Sequence, residues 1–152
     1  WDIYKDAFED DGHFTRYLDA TGANLDWAAA RALGAPDAAE AAVRGAAWAA
    51  ALARFLMAVP ELEARGRVPL VDGRAEAVAA LAAEGRARLA RARKARATVP
   101  RGAGYALYSG WQAEPVLRRA EADPMAVAEG RLAPGAAATS FRLLRVAFTG
   151  RW

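Results

Sequence analysis

Apolar residues recur every three or four positions through most of the chain, and no segment alternates convincingly with period two. That spacing predicts helices and no sheet. Phe14, Leu18, Leu25 and Ala29, with Tyr17 and Ala28 alongside, place a first helix over residues 12–33, stopped by Gly34. Pro36 and Asp37 suit the start of a second helix, as cap or first turn. Its stripe is Gly45, Trp48, Leu52, Phe55 and Val59, and only Arg54 is charged between Gly45 and Val59, so most of its surface is expected to be covered. Pro60 is expected to end that helix, leaving a loop over 60–73. A third helix follows over 74–97, with Val78, Leu81, Ala82, Gly85, Leu89 and Ala92 inward, and Pro100 and Gly102-Ala103-Gly104 break it. Short helices are expected over 105–111 and 115–121, then a turn at Asp123-Pro124. A last helix over 137–148 carries Phe141, Leu144 and Phe148 at i, i+3, i+7. Residues 1–11 read as irregular and acidic.

Composition supports the same picture. Alanine is more than a quarter of the 152 residues, while Val, Ile and Thr are sparse. Ala, Arg, Leu and Glu are strong helix formers, so the expected fold is all-α, as a single domain over 1–152. There are no cysteines, which excludes disulfides and thiolate metal sites and is compatible with a reducing compartment. No secretory signal is visible in the acidic first residues. The apolar run 46–59 is interrupted by Arg54 and is short for a bilayer span. The expected location is the cytoplasm, at the periphery of a membrane.

The net charge of +3 comes with 19 arginines and two lysines. Arg86, Arg88, Arg91, Arg93, Lys94 and Arg96 crowd the end of the third helix, with Arg101 beyond. Cations there complement the helix macrodipole, and a solvated face explains them as well as a partner does. As a binding surface they would take an anionic membrane or an acidic protein. No aromatic residue interleaves with them, so nucleic acid is not expected. His13, the single histidine, has no ligand or nucleophile at a matching spacing. Ser109 lacks a nucleophile elbow, and Gly102-Ala103-Gly104 follows a helix where a phosphate loop would follow a strand.

One stretch carries a resemblance. Phe55-Leu56-Met57-Ala58-Val59-Pro60-Glu61-Leu62 leads into Gly66-Arg67-Val68 and Leu70. It resembles the second aspartate-rich region of the squalene/phytoene synthase family, whose pattern is roughly N-x-x-x-D-x-x-E-D followed by G-R-v-y-L-P. With Gly66-Arg67 as anchor, the family's Asn falls on Arg54, its first Asp on Ala58, its Glu on Glu61 and its last Asp on Leu62. The Ala at the Asp position, the Pro two residues later, the basic Arg65 and Arg67, and Val99-Pro100 are similar to the family's mitochondrial complex I assembly factor branch. Tyr17-x-x-x-Thr21 and the residues up to Gly34 resemble the helix preceding the motif in both branches.

The resemblance implies an isoprenoid-synthase type of helical bundle, represented by the later half of the family's domain. It would put Tyr17 and Gly22 on the wall of a prenyl pocket, with Thr21, Asn24, Arg54 and Ala58 also candidates for its lining; a Tyr with its ring in the core explains Tyr17 equally well. Glu61, Arg65 and Arg67 would be the remnant of the acidic motif. A family synthase holds Mg²⁺ between two carboxylate clusters, and one acid is too few for that ion. Asp2-x-x-x-Asp6 has the spacing of the first cluster, but it stands only a few residues before the Tyr17 helix, where the family leaves a long interval. The expected function is therefore a non-catalytic binding or assembly-factor-like protein with no metal or cofactor, holding a hydrophobic or prenyl ligand or a protein partner. The alternative is a Mg-dependent transferase condensing prenyl diphosphates head to head. If the fold begins at Trp1, the Trp48 and Leu81 helices are expected to lose part of their cover, favouring self-association or a partner.

Overall fold

The computed structural model describes residues 7–150 and Trp152, and it is all-α. The order is α1 (Asp11–Leu18), a π turn (Asp19–Ala23), α2 (Asn24–Ala32), α3 (Glu40–Ala64), α4 (Ala75–Lys94), a 3₁₀ segment (Ala103–Gly110), α5 (Ala113–Ala122), α6 (Met125–Ala128) and α7 (Ala136–Thr149). Shorter 3₁₀ turns lead into α3 (Asp37–Ala39) and out of α4 (Arg96–Thr98). No strand occurs among the described residues.

The middle helix, α3, is the axis of the molecule. Ala46 to Ala53 is buried without a break, and Leu56 and Val59 extend that surface. Its 37–64 span is apolar enough to cross a membrane on composition, but two thirds of that window lies inside the fold. The cover comes from α4, α5, α6, the π turn, α2 and the 3₁₀ segment, which pack around it. Small residues set the spacing. Gly45 approaches Ala92, and Gly85 leaves room for Leu52 from α3 and Leu117 from α5, so α3 and α4 run antiparallel in close contact. The inward positions read from the third helical pattern hold: Val78, Ala82, Gly85, Leu89 and Ala92 are buried and Leu81 is half-buried.

Three expectations are corrected. The first concerns Pro60, which does not end its helix; α3 continues through it to Ala64. A proline forfeits one backbone bond, but Glu61, Leu62 and Ala64 are good helix formers, and an i, i+4 ion pair between Arg65 and Glu61 spans the last turn. The stop is Gly66, with φ +73°: its N–H donates to Glu63 at 2.8 Å and that of Arg67 to Leu62 at 3.0 Å, the Schellman pairing. Gly34, at φ +88°, ends α2 in the same way, as its position in the sequence predicts.

The second correction is a slip in phase. Asn24 N–H reaches back five residues to the Asp19 carbonyl, so one extra residue enters the turn. Phe14 and Leu18 face inward before it; after it the inward positions are Asp26 and Ala30, not Leu25 and Ala29. Leu25 is 66% exposed. The third concerns α7. Phe141, Leu144 and Phe148 keep the helical spacing read from the sequence, yet this apolar stripe is not a core face: they are 70%, 58% and 76% exposed, while Val146 is buried among the described side chains of this helix. The stripe has the right period but the helix meets the bundle along another side. Trp48 itself is 1% exposed, with the Arg88 guanidinium 3.9 Å above its ring.

Candidate functional site

Two regions bring chemistry-bearing side chains together. The first is the seam between the π turn, α2 and α3, where the resemblance places a prenyl pocket. Tyr17 is partly buried and packs with Phe8 and Phe55, at 5.3 and 6.0 Å between ring centroids. Phe14 joins the same cluster, 5.0 Å from both Phe8 and Phe55. Gly22 is buried so tightly that a Cβ there would stand 2.5 Å from the Ala51 Cβ. Thr21 and Asn24 face solvent. The Thr21 hydroxyl donates to the Tyr17 carbonyl at 2.7 Å, and Asn24 accepts from Arg44 at 2.5 Å. The seam thus brings Tyr17 and Gly22 inward and leaves Thr21 and Asn24 outside. Arg54 is exposed and Ala58 half-buried on α3.

Asp26 is the residue here that sequence reasoning passed over. It sits beside Trp27 in an apolar stretch, and the π turn alone rotates it inward. Its Oδ2 atom is buried without a hydrogen-bond partner. Burial pushes its carboxyl above the ordinary value of 3.8, and the neighbouring Arg54 guanidinium pulls the other way. Because the folded state holds this proton more tightly than the unfolded chain, stability falls as pH rises through the folded value. Asp26→Asn is therefore expected to melt higher than wild type at neutral pH, with the gain shrinking as pH approaches about 4. Equal melting differences at both pH values, by circular dichroism, would contradict this account.

The stretch that the resemblance aligns with an acidic motif offers a poor metal site. Magnesium needs several oxygen ligands. Ala58 and Leu62 have none to give, and Glu61 is engaged by Arg65 at 2.5 Å. Arg54 and Arg65 place guanidinium groups where ligands would be needed, and Arg67, half-buried beyond Gly66, adds another cation. These residues do not fit a magnesium ion. Asp2 and Asp6 lie outside the described residues.

The second region is basic. The arginines at the end of α4 do not share one face. Arg86 and Arg93, seven residues apart, turn toward α5: Arg86 pairs with Glu121 at 2.6 Å and Glu114 at 3.4 Å, and Arg93 with Glu114 at 3.3 Å. Arg88 turns toward Trp48 and pairs with Glu84, and with Arg91 it borders a separate groove beside Gly45 and Ala92. Arg93, Lys94, Arg96 and Arg101 line a cleft of about 480 Å³ whose other wall includes Gly104, Gly150 and Trp152. A second hollow of about 240 Å³ adjoins it and shares Arg93, Arg96 and Trp152; Arg142 and Arg145 of α7 close it. Glu114 is the one acidic side chain among the described residues lining either hollow.

Tertiary contacts build this cleft. Gly104 lets the Trp152 indole approach, since a Cβ there would lie 3.4 Å from Nε1. Arg93 Nε donates to the Trp152 backbone oxygen at 3.3 Å. Burial lowers the Arg93 pKa most; Glu114 opposes that, and Arg145, Arg96 and Arg142 lower it further by like charge. A site that destabilises its own cation in this way gains by taking up a negative charge. Arg142 and Arg145 are absent from the basic run because they lie half a hundred residues downstream. Their i, i+3 spacing was the one signal available.

The class these observations define is an all-α bundle with a cationic cleft at the junction of α4 and α7. Comparison with family models, with characterised proteins and with solved structures yields no match.

Proposed function

We propose that this protein works by binding an anionic partner, not by turnover, and that it is a squalene/phytoene synthase-like bundle whose acid motif has lost its chemistry. The observation that carries the reading is the gathering of Arg93, Lys94, Arg96, Arg101, Arg142 and Arg145 around two adjoining hollows that share Arg93 and Arg96, with Glu114 the one acidic side chain among their described lining residues. Clustered guanidinium groups in a concave, partly desolvated site recognise phosphate or carboxylate oxygens in pairs. Support for the lost chemistry comes from Ala58 and Leu62 at acid positions and from the Glu61–Arg65 pair. The family resemblance in Gly66-Arg67-Val68, with the Tyr17 to Gly34 helix before it, supports the isoprenoid-synthase type of bundle. An assembly-factor-like role at a membrane surface in the cytoplasm is consistent with the cationic face.

Inorganic pyrophosphate, followed by calorimetry, tests the cleft. The wild type is expected to bind it with an affinity that falls as salt rises. Arg96→Glu with Arg101→Glu is expected to weaken binding by tenfold or more, about 1.4 kcal/mol, because two attractive charges become repulsive. Unchanged affinity in that variant would refute the site. The head-to-head prenyltransferase reading is separated by incubating the protein with Mg²⁺ and farnesyl diphosphate. No diphosphate release is expected; steady release would restore the enzyme.

A further inference from the structure

We infer that α7 is an interfacial anchor, laying Phe141, Leu144 and Phe148 into the headgroup region of an anionic bilayer while Arg142 and Arg145 beside them hold lipid phosphates. This rests on the reading of the adjoining cleft as anion-binding. At about 100° per residue, Phe141, Leu144 and Phe148 fall within roughly 60° of one another around the helix. All three are more than half exposed, and Val146, buried among the described side chains of the helix, lies well around from them. Arg145 and then Arg142 occupy the arc between the exposed stripe and the buried side. Leu143, also exposed, lies closer around the helix to Val146 than to the stripe and is no part of it.

A monomer in water has no use for two fully presented phenylalanines and a leucine in one line. Charge complementarity selects the occupant. An apolar stripe bordered by guanidinium groups, with Lys94, Arg96 and Arg101 in the adjoining hollow, matches the layered chemistry of an anionic leaflet: acyl chain below, phosphate beside. A protein groove would have to supply an apolar trough with an acidic border at the same spacing. The bilayer supplies both without specific shape. Neither apolar nor electrostatic attraction is strong alone on a helix this short, so the two are expected to be required together.

The test is co-sedimentation with phosphatidylcholine vesicles with and without phosphatidylserine, alongside pyrophosphate calorimetry on the same samples. Wild type is expected to bind only the serine-containing vesicles. The variant Phe141→Ser, Leu144→Ser, Phe148→Ser is expected to lose about tenfold or more in vesicle affinity while its circular dichroism and pyrophosphate affinity stay unchanged. Phe148→Trp is expected to shift its emission to the blue on vesicle addition. The inference is overturned if the serine variant binds vesicles as wild type does. It is also overturned if wild type ignores the vesicles yet still binds pyrophosphate, an outcome that leaves the cleft intact. Loss of pyrophosphate binding in wild type would remove the cleft reading itself, and this inference with it. A dimer in sedimentation equilibrium that the serine substitutions disperse would show that a second copy covers the stripe, and would likewise overturn it.

Discussion

Trp48→Ala is expected to lower the stability of this protein by about 3–5 kcal/mol. Trp48 is the largest fully buried side chain, set in the middle of α3 where α4 crosses it. Truncation removes the ring from the core and leaves a cavity that a close-packed interior closes only in part. It also strips the Arg88 guanidinium of the ring it lies over at 3.9 Å, a contact worth about 1 kcal/mol or more where partly desolvated. Domains of this size are stable by roughly 5–15 kcal/mol, so the loss is a large share of the total. The melting temperature should fall by about 10 °C or more. A companion variant isolates the cause. The Trp48 indole N–H is buried without a partner, and such a group costs about 1–3 kcal/mol. Trp48→Phe removes that group while keeping a ring, so it should cost less than about 1.5 kcal/mol. If thermal or urea melts place the two variants together, the core account of Trp48 is wrong.

Gly22→Val is expected to cost about 2–3 kcal/mol through overpacking. A Cβ at this position meets the Ala51 Cβ at 2.5 Å, closer than two carbon atoms can sit, and the Ala47 carbonyl lies 3.6 Å away. The π turn would have to lift from α3, which would also disturb Phe14 and Leu18 behind it. Gly22→Ala pits the same clash against a gain of up to about 1 kcal/mol in helix propensity. Adding Ala51→Gly removes the atom that is struck, since the Ala51 Cα stands at 3.8 Å. The double mutant should therefore be more stable than the sum of the singles by about 1 kcal/mol. Simple additivity in urea titrations would show that the two helices are not pressed together at this point.

Much of the fold was legible because its physics is local. The 3.6-residue spacing of Val78, Ala82, Gly85, Leu89 and Ala92 marks the inward face of α4 with no knowledge of its neighbours. Gly34 marks a helix stop because few other residues accept a positive φ. Pro60 misled because its local penalty is real; α3 absorbs it through the good formers and ion pair that follow, and Gly66 supplies the stop. The π turn could not be read, since Asp19 to Ala23 contains nothing that demands an extra residue. It follows from docking Gly22 on Ala51, and it decides that Asp26, not Leu25, turns inward.

The site divides in the same way. The run from Arg86 to Arg96 was evident as charge, but charge in sequence does not say which cations share a hollow. Helical rotation sends Arg86 and Arg88 to ion pairs and Trp48, and leaves Lys94 and Arg96 to join Arg101, Arg142 and Arg145. Alanine content and helical period follow from the chain alone, because each is a property of neighbours in sequence. The phase of α2, the exposed side of α7 and the membership of the cationic cleft were decided only in three dimensions. Each depends on where one helix rests against another, and that is set by the packing of small residues far apart along the chain.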